Sequence, residues 1–95
     1  MARKQQFLSA EWTDRFRESY AKLQANEQKS VDHVCLAIIK GAVTPGMRRQ
    51  PIGPEKYYNG ARINGGDRIV HRITGGTVFF MDIVAHDQIN EYGRR

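Results

Sequence analysis

Two glycine pairs, Gly65-Gly66 and Gly75-Gly76, constrain this chain more than any other feature. Each separates runs rich in β-branched and aromatic residues, and glycine accepts the positive φ that a two-residue hairpin turn demands. Three consecutive strands are predicted over 57–64, 67–74 and 77–85, joined as an antiparallel meander. A meander buries one face of its sheet, so it needs a second layer to bury it against.

The first half of the chain supplies that layer. Trp12, Phe16, Tyr20 and Leu23 recur at spacings of four, four and three, which places them on one face of a helix. Ser9 is the expected N-cap, Glu11 complements the dipole in the first turn, and Asp14, Arg15, Arg17, Glu18 and Lys22 take the solvent side. A second helix over 27–40, capped by Asn26 and ended by Gly41, turns Val31, Val34, Cys35 and Ile38 inward. Residues 4–8 read as a short edge strand. All three prolines, Pro45, Pro51 and Pro54, fall within 42–55, which is expected to be an irregular surface loop carrying Arg48 and Arg49. The expected architecture is α+β in two layers: an N-terminal helical hairpin packed on a three- to four-stranded antiparallel sheet, in a single domain spanning 1–95.

Size and composition narrow the function. Ninety-five residues, 40% of them hydrophobic, build one core and exclude a multidomain enzyme or a large buried cofactor. The apolar runs 35–39 and 77–85 are short of the roughly 20 residues of a membrane helix, and no apolar stretch follows the basic N-terminus as in a secretory signal. A cytoplasmic protein is expected. Cys35, the one cysteine, has no disulfide partner in the chain and reads as a buried structural thiol. His33, His71 and His86 lack metal-ligand spacing, and no glycine-rich phosphate loop is present, so neither metal nor cofactor is expected.

Fifteen Lys and Arg against ten Asp and Glu leave a formal charge of +5. With two-residue turns, Ile69, Ile73, Val78, Phe80 and Val84 share one side of the sheet, and Arg68, Val70, Arg72, Phe79, Met81 and Ile83 share the other. The first set faces the helices, and His71 belongs with it as a packed, hydrogen-bonded histidine. The second set stands cations beside apolar and aromatic surface, which suits single-stranded nucleic acid. In this register Asp82 and Arg62 share a face, where an ion pair accounts for a carboxylate on an apolar strand. Arg62 and Arg68 then face opposite ways, and both reach one phosphate only if the register shifts by one residue.

The segment Arg62-Ile63-Asn64-Gly65-Gly66-Asp67-Arg68-Ile69-Val70-His71-Arg72-Ile73, followed by Val78 to Ala85, His86 and Tyr92, resembles the RelE/ParE superfamily of bacterial toxins. It is most similar to the RelE and HigB branches, in which a strand ending Arg-Ile-Asn leads into a hairpin, an arginine with apolar alternation, and a last strand running into His or Arg and then Tyr. The resemblance implies the toxin of a type II toxin–antitoxin pair, an endoribonuclease that cuts mRNA without metal, on the ribosome in some members. It also implies a cognate antitoxin protein as partner. It assigns Arg68 to the scissile phosphate, His86 to acid or base catalysis, and Tyr92 to base stacking or proton transfer. Lys56 falls near the family's basic substrate-contacting positions, and Arg72 on the open face and Arg62, if the register shifts, join it as RNA-binding candidates. Asn59 and Ala61 stand where strongly ribosome-dependent members carry lysines. Two other functions remain open: a ParE-like toxin acting on gyrase, and a noncatalytic basic RNA-binding module. Neither needs the set Arg68, His86 and Tyr92.

Overall fold

Thr13, not Ser9, starts the first helix. In the computed structural model, which describes residues 7–47, 49–52, 58–63 and 66–85, strand β1 is Ser9–Trp12 and helix α1 is Asp14–Ala21. The Thr13 hydroxyl accepts from the Phe16 N–H at 3.1 Å and donates to the Met81 carbonyl at 2.9 Å; the Thr13 N–H donates to the Phe80 carbonyl at 3.1 Å. Ser9 and Thr13 both carry the hydroxyl that an N-cap needs, but Thr13 also meets the edge of the last strand. Trp12 therefore leaves the helical stripe for β1, yet its ring still stacks on Phe80 at 5.4 Å. Of the edge strand expected at 4–8, residues 4–6 lie outside the described residues, and the observed strand begins at Ser9.

Helix α2 runs Ala25–Lys40, with Gln24 rather than Asn26 at its cap and the Gln24 N–H donating to Glu27 Oε1 at 3.3 Å. It ends as the sequence predicts: Gly41 has φ 71°, and the Gly41 and Ala42 N–H groups donate to the Ile38 and Ala37 carbonyls. Val31, Val34, Cys35, Ala37 and Ile38 are buried along one stripe. The segment after it is more ordered than its prolines suggest. It contains a 3-10 turn, Pro45–Met47, that buries Met47 in the core, and strand β2, Gln50–Ile52. Pro51 is tolerated there because β2 lies at an edge of the sheet.

Strands β3 (Tyr58–Arg62), β4 (Asp67–Thr74) and β5 (Thr77–Ala85) form the expected meander. The sheet is nevertheless five-stranded and mixed, ordered β1-β5-β4-β3-β2, with β1 parallel to β5 and every other pair antiparallel. Gly75 and Gly76, at φ 55° and 82°, make the predicted two-residue turn, with Thr74 opposite Thr77. The core lies between the helices and one sheet face. Phe80, fully buried, is at its centre, 5.7 Å from the Phe16 ring and in the same cluster as Val31, Ile38 and Ile69.

Two register details depart from ideal hairpins. The ladder between β4 and β5 shifts between Val70 and His71, leaving Met81 as the extra residue of a β-bulge. Beyond it Ile83 packs with the helix-side core and Val84 joins Val70 and Ile52 on the opposite face, the reverse of the predicted assignment. Between β3 and β4 the turn is one residue longer than predicted: the Ile63 N–H donates to the Asp67 carbonyl, and Arg62 stands directly opposite Arg68.

Candidate nucleic-acid interface

That longer turn creates the main feature of the sheet's outer face. Arg62 and Arg68 are cross-strand partners, so their side chains leave the same side of the sheet at the end where β5 finishes. Val84 is opposite Arg68 on its other flank, and Asp67 is opposite Ala85, which precedes His86 in the chain. Like charges directly opposite destabilise a sheet by several tenths of a kcal/mol, up to about 1 kcal/mol, unless a counterion joins them. Arg68 is only 8% exposed, and one of its Nη atoms donates to the Asp67 carbonyl at 3.3 Å. It is thus held at the face and not displayed as a solvated side chain, contrary to the open placement predicted for it.

Arg72 lies four residues further along β4, opposite Phe79 on β5, and the register through Asn59 and His71 brings Tyr58 of β3 alongside it. Tyr58 was not distinguished by the sequence pattern, since a two-residue turn would have put it on the other side. Lys56, His86 and Tyr92 lie outside the described residues. The structure therefore brings Arg62, Arg68 and Arg72 together on one face.

Asp82 does not pair with Arg62. Its carboxylate, on a residue 3% exposed, accepts from Ser19 Oγ at 2.9 Å and from the Ile83 N–H at 2.8 Å, and Arg15 Nε sits 2.9 Å from Oδ2. These contacts fasten helix α1 to β5. Asp67, next to Arg68, has its carboxyl pushed up by burial, with Glu27 adding to the effect and Arg68 opposing it.

His71 has the packed role its position implies. Arg49 Nε donates to Nε2 at 2.9 Å, so the ring proton sits on Nδ1, 3.3 Å from the Ile69 carbonyl. Burial pushes its pKa down to about 4, the Arg49 charge adds to this, and the Ile69 carbonyl opposes it. The folded value lies below the unfolded one of about 6.5, so the associated stability is complete above that pH. It is lost as pH falls toward the folded value, by roughly 3 kcal/mol. Urea midpoints measured from pH 7.5 to 4 should fall accordingly, and His71→Gln should flatten the slope. An undiminished slope in that variant would assign the loss to carboxylates elsewhere.

Cys35 is buried and its thiol is pushed up to about 12, mainly by burial, which leaves it protonated and unreactive. Among the described residues no three His, Cys, Asp or Glu side chains converge as a metal site requires. None of the described helices is long and apolar enough to cross a membrane.

This arrangement of helices and strands has known counterparts. A copper-bound mutant toxin from Helicobacter pylori superposes with a TM-score of 0.74 at 16% identity, over 85% of this chain and 97% of that one. The Escherichia coli DinJ–YafQ complex contains a chain that superposes at 0.73 and 13% identity, over 84% and 94%. The toxin–antitoxin complex RelBE2 from Mycobacterium tuberculosis gives 0.66 at 20% identity, over 83% and 98%. The chain has the RelE/ParE toxin fold. No protein-family model matches it, and no curated protein sequence does either. On the RelE/ParE fold of this chain, the arginine face is the outer surface of the meander and the helical hairpin covers the inner one.

Proposed function

We propose that the protein is the toxin of a type II toxin–antitoxin pair, a RelE/HigB-like endoribonuclease that cuts mRNA without metal. The observation that carries this reading is the cross-strand pair Arg62 and Arg68, beside the end of β5 that leads into His86. Two arginines on one face offer donors to a phosphodiester from both sides, and an arginine fork binds two phosphate oxygens at once.

In the proposed reaction a ribose 2′-hydroxyl attacks the adjacent phosphorus. The 5′-oxygen of the next nucleotide leaves, and a 2′,3′-cyclic phosphate remains. Arg68 and Arg62 stabilise the charge that grows on the phosphoryl oxygens. His86 takes or gives the proton, the role to which the imidazole side chain is suited by its unperturbed pKa of about 6.5. Tyr92 stacks on a base or shares in proton transfer, while Lys56 and Arg72 hold the flanking strand. The partner is an antitoxin whose acidic segment folds over the same basic face, attracted by the net charge of +5.

Primer extension on mRNA, with and without translating ribosomes, tests the proposal. Wild-type chain should produce cuts with cyclic-phosphate ends, and Arg68→Ala and His86→Ala should abolish them. Absence of cuts by the wild type under both conditions would overturn the nuclease and make gyrase inhibition the next assay.

A further inference from the structure

The register that pairs Arg62 with Arg68 also lines up a second row on the outer face. Ile52 on β2 is opposite Tyr58 on β3, Arg72 on β4 is opposite Phe79 on β5, and the Asn59–His71 pair leads the register on to Tyr58 beside Arg72, so an arginine stands between two aromatic residues. Tyr58 packs against Ile52 and Val70 and is half-buried, and Phe79 is half-buried between the inward-facing Val78 and Phe80. Opposite Val70 on β3 is Gly60, which has no side chain to fill the space between this row and the Arg62–Arg68 row. The two rows are four residues, or about 13 Å, apart along β4, on the scale of two nucleotide steps.

Resting on the nuclease reading above, we infer that the Tyr58–Arg72–Phe79 row is a base-stacking subsite for a nucleotide two steps from the scissile phosphate. Tyr58 is its main platform. Every nucleobase has a π face, so a row of this kind accepts single strands with little sequence preference. Arg72 supplies cationic contact to the same nucleotide, and Arg62 with Arg68 hold the scissile phosphate two steps along the strand. Glu11 follows Phe79 as the next cross-strand partner, on β1. Its carboxylate repels a polyanion at that end, so the strand is directed along β4 toward Arg68.

The test uses a 2′-O-methyl RNA hexamer, which binds but has no 2′-hydroxyl to react, and fluorescence anisotropy. Tyr58→Ala should weaken binding about ten- to a hundredfold, while Tyr58→Phe should bind like wild type. Tyr58→Leu keeps apolar packing against Ile52 and Val70 but has no ring, so it should lose affinity as alanine does. With a hexamer of abasic riboses the penalty of both variants should vanish, because no base remains to stack. Tyr58→Ala and Tyr58→Leu binding the full hexamer within twofold of wild type, or an equal penalty on the abasic chain, would overturn the subsite alone. Failure of the wild type to bind the hexamer at any salt would overturn the nuclease reading and the subsite together. Binding of an antitoxin but not the hexamer would assign the row to protein docking and overturn it as well.

Discussion

Alanine in place of Phe80 should cost about 4 kcal/mol of stability, within the range for deleting a buried aromatic ring. The ring is fully buried, stacks on Trp12 from β1, and tilts against Phe16 from α1 at 5.7 Å. It thus joins the parallel edge strand, the first helix and the meander. In a domain of 95 residues such a loss is a large share of a total stability of about 5–15 kcal/mol. Guanidinium unfolding followed by tryptophan fluorescence measures it directly, since Trp12 reports on the same cluster. Phe79→Ala is the control: the neighbouring residue points to the other face and should cost about 1 kcal/mol. Equal effects at the two positions would contradict the assignment of faces.

The second large effect concerns Arg68. Under the proposed function, Arg68→Ala should lower single-turnover cleavage by roughly a hundred- to a thousandfold, the usual loss when one donor to a developing oxyanion is removed. Arg68→Lys separates charge from geometry. Lysine keeps the cation and most of the stem, but it binds as a point charge and lacks the fork. It should recover little of the rate. Arg62→Ala should lose about tenfold, since Arg62 shares the phosphate but lies a strand further from β5. Arg68 is largely buried, so melting temperatures of the three variants should accompany the kinetics. A well-folded Arg68→Lys that cleaves like wild type would place the scissile phosphate elsewhere on the face.

Much of this fold is legible from neighbouring residues. The meander, the Gly75-Gly76 turn, the stop of α2 at Gly41 and the buried face of that helix follow from alternation, positive φ and helical period. The start of α1 is less so. Ser9 and Thr13 are equivalent caps chemically, and the choice fell to Thr13 because its hydroxyl and N–H also satisfy carbonyls of β5. β1 itself was hidden for the same reason. Four residues with a weak local pattern became a strand because β5 offered them a parallel edge.

The candidate site divides along the same line. Arg68 and Arg72 were evident as same-parity arginines on one strand. Whether Arg62 and Tyr58 join them depended on one residue in the turn before β4, since a shift of one moves every side chain of β3 to the other face. The same shift parted Arg62 from its expected partner Asp82, which bonds instead to Arg15 and Ser19. By itself the sequence determined the helical hairpin, the meander, the two layers and the basic character of the outer face, because turns, caps and hydropathy periods are properties of residues close along the chain. Only the tertiary structure decided which arginines face one another, which carboxylate is neutralised by which cation, and where the edge strand lies, because those depend on register and on pairing between distant segments, where one residue more or less reverses the outcome.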